Sequence, residues 1–124
     1  MRATARRREG FTHDIEIEGG HKLVIDETPE VGGAGAGPSP TRTVAAALAA
    51  CTAITCEMYA ERKGWTLGEL VVDADLEYGD KSSIASVTVT LRVPEPLDAE
   101  QQRRLLRIAG KCPVHRALTG STPV

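Results

Sequence analysis

The residues with the most chemical potential are three cysteines, Cys51, Cys56 and Cys112. Cys51 and Cys56 lie five positions apart in a segment that reads as helix. Ideal geometry puts their Cα atoms roughly 8–9 Å apart and their side chains about 140° apart around the axis. A disulfide needs Cα atoms within about 7 Å, so any intramolecular bridge must involve Cys112. Lys111, His115 and Arg116 flank Cys112, and Arg103, Arg104 and Arg107 precede it. Positive charge of this kind enriches the thiolate, whereas the C-terminal end of a preceding helix opposes it. Cys51, among Ala49, Ala50, Ala53 and Ile54, should have its pKa raised by burial unless a cation reaches it. Packing is the alternative use of each thiol, and above all of Cys56. Cys112-x-x-His115 has metal-like spacing, but no second pair supports it, since His13 and His21 fall on early strands. No metal site is expected.

The elements that must position these thiols follow from periodicity. Phe11, His13, Ile15 and Ile17 alternate with polar residues, and His21 to Asp26 reads as a second strand after Gly19-Gly20. A short strand near Arg2 to Arg6 would complete a meander. Residues 29 to 40, PEVGGAGAGPSP, read as a loop with no internal strand or helix. They lack the Gly-Lys-Ser/Thr ending of a phosphate-binding loop. A helix then runs from about Pro40 to Lys63, with Ser39 as N-cap, Pro40 in the first turn and Gly64 as stop. It would be roughly 36 Å long. Its first half, TVAAALAACTAITC, has no polar face and should be buried all round. The sheet can cover one side, and a partner subunit is the simplest cover for the other. Val72 to Tyr78 and Val87 to Val93 alternate as a hairpin with one wet face, turning at Gly79 to Ser83. Asp98 caps a second helix carrying Leu105, Leu106, Ile108 and Ala109, stopped by Gly110. The order ββ(β)-α-ββ-α predicts one α+β domain over residues 1–124, with antiparallel sheets and a long buried central helix.

Composition narrows the function classes. The formal net charge is −2, which argues against nucleic acid as main partner. Arg6-Arg7-Arg8 is offset by Asp14, Glu16 and Glu18 and reads equally as a solvated strand edge. No apolar stretch follows the early arginines as in a secretory leader. Thr43 to Cys56 falls short of the ~20 apolar residues of a membrane span. The odd cysteine count suits a secreted disulfide scaffold poorly. A cytoplasmic location without membrane or nucleic-acid partners is the expectation.

GPSPTRTVAAALAACTAITCEMYAERKGW (Gly37 to Trp65) and KCPVHRAL (Lys111 to Leu118) resemble the OsmC/Ohr family, and the general OsmC-like branch most. The combination of a Gly/Pro-rich entry, an Ala-rich helix with a central Cys, and a distal Cys-Pro carries the likeness. The resemblance implies an intertwined homodimer whose central helices pack back to back between sheets. It implies a peroxidatic Cys51 that attacks a hydroperoxide and a resolving Cys112 that forms a disulfide with it, reopened by an external dithiol and needing no cofactor. It further implies an N-terminal arginine holding the thiolate, here Arg8, with Arg6 or Arg7 as alternates, oriented by a glutamate at the start of the central helix. This sequence departs at that last position. Thr41 or Arg42 stands there, and no carboxylate occurs between Glu30 and Glu57. Arg42 could itself be the cation over Cys51. The alternative to a peroxidase is a noncatalytic dimer that senses redox state or binds a small molecule.

Overall fold

The computed structural model describes residues 1–124. They form two compact units, Met1–Val44 and Ala45–Val124. Three strands, β1 (Ala3–Glu9), β2 (Thr12–Ile17) and β3 (His21–Ile25), make an antiparallel sheet with β2 in the middle. Gly10, Gly19 and Gly20 turn the chain at positive φ, as the meander requires. Edge strand β1 carries the basic cluster, and two of its three charges are matched across the ladder. Arg6 faces Glu16 at 4.0 Å and Arg8 faces Asp14 at 2.5 Å.

The glycine-rich segment packs back on this sheet. Asp26, 1% exposed, accepts bonds from the Thr12 hydroxyl (2.8 Å) and from the backbone N–H groups of Glu27 (2.7 Å) and Ala36 (3.1 Å). These donors, Thr12 first, hold its carboxyl below the usual range against the opposing effect of burial. A Cβ on Gly33 would sit 1.9 Å from the Glu27 carbonyl oxygen, and one on Gly37 2.1 Å from that of Val24. These two glycines therefore serve close backbone approach. Contrary to the expectation of a loop without helix, Pro29–Val31 forms one 3₁₀ turn, closed by left-handed Gly32.

Helix α1 (Pro40–Lys63) starts in the first unit and runs through the second, with the bounds expected from sequence. Ser39 Oγ accepts the Arg42 N–H at its start. At its end Gly64 turns left-handed and the Trp65 N–H bonds back to the Ala60 carbonyl at 2.9 Å. In the second unit β4 (Val71–Tyr78) and β5 (Ile84–Arg92) form an antiparallel hairpin. Val87, Val89 and Leu91 face inward, while Thr88, Thr90 and Arg92 are exposed. Helix α2 (Ala99–Ala109) opens with a capping box in which the Asp98 carboxylate accepts the Gln101 N–H and the Gln101 side chain accepts the Asp98 N–H.

A third helix, α3 (Pro113–Thr119), follows at once. The expected order ends at α2, whereas the chain reads βββ-α-ββ-α-α. The core joins Cys56 and Ala60 of α1 to Leu67 and to Leu105 and Ala109 of α2, with Trp65, Leu70, Leu91, Val93 and Leu97 around it.

The expectation that the first half of α1 is buried all round needs correction for the single chain. Leu48, Thr52, Cys56 and Ala60 are its buried residues, one stripe at helical spacing. Within that half Ala46, Ala47, Ala50 and Ile54 are exposed, Ile54 to 56%, because a single chain covers only one side of a segment that lacks a polar face. By length and composition α1 could cross a bilayer. Cys56 and Ala60 of its covered stripe share a core with Leu105 and Ala109 of α2, and the Cys56 thiol reaches the Leu105 carbonyl.

Candidate thiol site

All three cysteines are free and lie in the second unit. Cys112 is fully buried. It sits between two helices, because Gly110 ends α2 and Pro113 begins α3 with a ring that fits the first helical turn. Its Sγ accepts the His115 N–H at 3.3 Å as the N-cap of α3. The Cys-x-x-His spacing is thus used through a backbone N–H. No group of three His, Cys, Asp or Glu side chains converges as a metal would need. Sequence reasoning places Cys112 only at the C-terminal end of a helix. The signal it passes over is Pro113 at a first-turn position with Gly120 downstream.

On its other side Cys112 meets α1. The Thr52 hydroxyl, 1% exposed, lies 3.6 Å from Cys112 Sγ. Thr52 is the immediate neighbour of Cys51, and ideal helix geometry puts their Cβ atoms about 5.5 Å apart. Cys51 itself is partly exposed. The apolar surroundings expected for it belong to Cys56, which is wholly buried. Burial pushes the Cys56 thiol up from 9.0 to about 11, with smaller contributions from Cys112 and Glu57. Cys56 therefore stays protonated at neutral pH, its S–H directed to the Leu105 carbonyl at 4.0 Å.

A cavity of about 230 Å³ is bordered by Thr52 and His115, the two residues whose hydroxyl and backbone N–H contact Cys112 Sγ. Val87, Val89 and Leu91 of β5 and Leu106, Ala109 and Gly110 of α2 line it, with Thr52 and His115 as its polar members. It could hold the apolar body of a small ligand beside the thiol-bearing turn. Sequence reasoning singles out neither Thr52 nor this cavity. A threonine inside an apolar run gives no sign of which neighbour its hydroxyl meets.

Arg8 lies in the first unit, on exposed β1. Its guanidinium grips Asp14 through Nε at 3.2 Å and Nη2 at 2.5 Å. That bidentate contact holds the Asp14 carboxyl below its usual range and raises Arg8. The carboxylate that orients Arg8 is therefore a strand neighbour. Arg7 donates from Nε to the Gly10 carbonyl, and Arg42 lies exposed in the first turn of α1.

The model of the family described as OsmC-like protein matches residues 32–124. No curated protein matches significantly. Among solved structures, an OsmC-like protein from Mycoplasma pneumoniae superposes with a TM-score of 0.83 at 18% identity, covering 96% of this chain and 86% of that one. An organic hydroperoxide resistance protein from Legionella pneumophila gives 0.69 at 23% identity, covering 95% and 88%. Another, from Bacillus subtilis, gives 0.66 at 24% identity, covering 97% and 90%. At these identities the likeness is one of fold.

Proposed function

Because the chain belongs to the OsmC-like protein family, we propose that it is a thiol-dependent peroxidase that reduces organic hydroperoxides through Cys51 and Cys112. The observation that carries this reading is the 3.6 Å contact between Cys112 Sγ and the hydroxyl of Thr52, the residue after Cys51. It sets a buried thiol beside the turn of a part-exposed one. The Cys51 thiolate attacks the terminal peroxide oxygen, the O–O bond breaks, and the departing alkoxide takes a proton from solvent to leave as the alcohol. The resulting Cys51 sulfenic acid condenses with the Cys112 thiol, releasing water and forming the Cys51–Cys112 disulfide. An external dithiol restores both thiols by exchange. No cofactor enters this cycle. The apolar cavity beside Thr52 and His115 suits an organic peroxide better than hydrogen peroxide.

Arg8 is the proposed cation for the Cys51 thiolate, with Asp14 in the orienting role that a helix glutamate would otherwise take. We further read the working form as a cytoplasmic homodimer. The exposed Ile54 and Met58 on α1 support the dimer, since a partner helix would bury them. A second reading, a redox-sensing or ligand-binding dimer without turnover, is favoured by one observation. The Arg8 guanidinium is already compensated by Asp14 of its own sheet.

The deciding experiment is consumption of cumene hydroperoxide with a dithiol reductant, wild type beside Cys51→Ser. Turnover in the wild type that vanishes in the variant is the expected result. No turnover in either would replace the peroxidase by the sensing or binding dimer.

A further inference from the structure

Cys56 has no part in the cycle above, yet it occupies the same buried stripe of α1 as Thr52. Cys112 Sγ rests against Thr52. Measured from Thr52 on an ideal helix, Cys51 is about 1.5 Å back along the axis and about 100° around it, and Cys56 is about 6 Å forward and only about 40° around. The sulfur of Cys112 is therefore placed between two thiols of α1 that are too far apart to bridge each other directly. Cys56 and Cys112 are both completely buried, and each lies against the same element. Cys56 bonds to the carbonyl of Leu105 in α2, and Cys112 follows the end of that helix. The ionisation of Cys56 is further opposed by the charge Cys112 would carry, which is an effect of nearness.

From this placement we infer that Cys112 has a second disulfide partner, Cys56, and passes the oxidised state inward from the part-exposed to the buried end of the site. The inference rests on the proposed peroxidase reading. Once the Cys51–Cys112 disulfide has formed, the Cys56 thiol attacks Cys112 Sγ, its proton passing by way of the departing Cys51 sulfur to solvent at that part-exposed position. The Cys56–Cys112 bond forms, the Cys51–Cys112 bond breaks, and Cys51 leaves as a thiolate. No electrons enter or leave, because one disulfide replaces another. The products are a peroxidatic thiolate ready for a second hydroperoxide and a disulfide out of solvent contact. A dithiol must open that disulfide to reset the chain.

The relay fixes a stoichiometry. Without reductant, the first hydroperoxide makes the disulfide, and the second converts the freed Cys51 to a sulfenic acid. Wild-type protein titrated with cumene hydroperoxide should consume two equivalents per chain, and Cys56→Ser only one. Between the first and second equivalents, native alkylation should label Cys51. Peptide mapping after acid quenching and unfolding should then find Cys56 joined to Cys112 within one chain. The mapping needs only the wild type, so it stands whether or not the variant folds. Consumption that stops at one equivalent, with Cys51 held by Cys112 and Cys56 free, would overturn the relay and leave the peroxidase intact. A disulfide found only between chains would overturn it as well. No consumption at all would remove the peroxidase reading, and the relay with it.

Discussion

At the scale of single residues, the two thiols of the proposed cycle differ in exposure. Cys51 is within reach of solvent, whereas Cys112 is not. Replacing Cys112 by Ser should therefore leave the first oxidation intact and stall the chain at the Cys51 sulfenic acid, which a dimedone probe would label. An unlabelled variant after peroxide addition would show that Cys112 is not the thiol that removes it. Arg8 can be tested the same way. If its guanidinium holds the Cys51 thiolate, Arg8→Ala should slow native alkylation of Cys51 by about tenfold, the order expected when a thiolate loses its neighbouring cation. An unchanged rate would move that role to Arg42. Residue types and spacing are enough to single out Cys51, Cys112 and the arginine cluster as candidates in the sequence. The contacts of Thr52 and Asp14 are not legible there, since each depends on a register between separate elements.

At the scale of elements, legibility tracks how local the stabilising physics is. The bounds of α1 follow from Ser39, Pro40 and Gly64, and α2 from the Asp98–Gln101 box, all short-range signals. Asp98→Ala should cost about 1 kcal/mol, the ordinary value of a lost N-cap, read as a shift in the denaturant midpoint at constant slope. The buried face of α1 was illegible for the opposite reason. A run of small and apolar residues carries no phase, so nothing in it selects Thr52, Cys56 and Ala60 as the inner stripe. Helix α3 escaped because Cys112-Pro113 reads as an end when it is also a beginning.

Burial of that stripe has a pH signature. The Cys56 thiol is raised in the folded state, so its neutral form stabilises the fold below the unfolded value of 9.0, and that contribution is lost as pH climbs towards about 11. Cys56→Ser should flatten the loss of stability over this alkaline window by on the order of 2 kcal/mol, the linkage energy of a thiol held neutral across it. Equal alkaline losses in variant and wild type would show that Cys56 is not the group responsible.

At the scale of the whole molecule, the exposed face of α1 is the feature a single chain leaves unsolved. Ile54 and Met58 lie one turn apart, and Ala47 and Ala50 continue their line towards the helix start, all exposed. Apolar surface of this kind costs roughly 25 cal/mol for each Å² left in water, which favours covering it with a second copy of the same face. Small alanines let two such helices approach closely, and the larger Ile54 and Met58 would supply most of the buried area. Ile54→Lys places a charge at the middle of that stripe, where a partner helix would have to desolvate it. Light scattering should therefore give twice the 13.2 kDa chain mass for wild type and the chain mass itself for Ile54→Lys. Because the chain's own core lies on the opposite stripe, the variant should keep its helical circular dichroism while it dissociates. A folded variant that stays dimeric would place the contact on another surface.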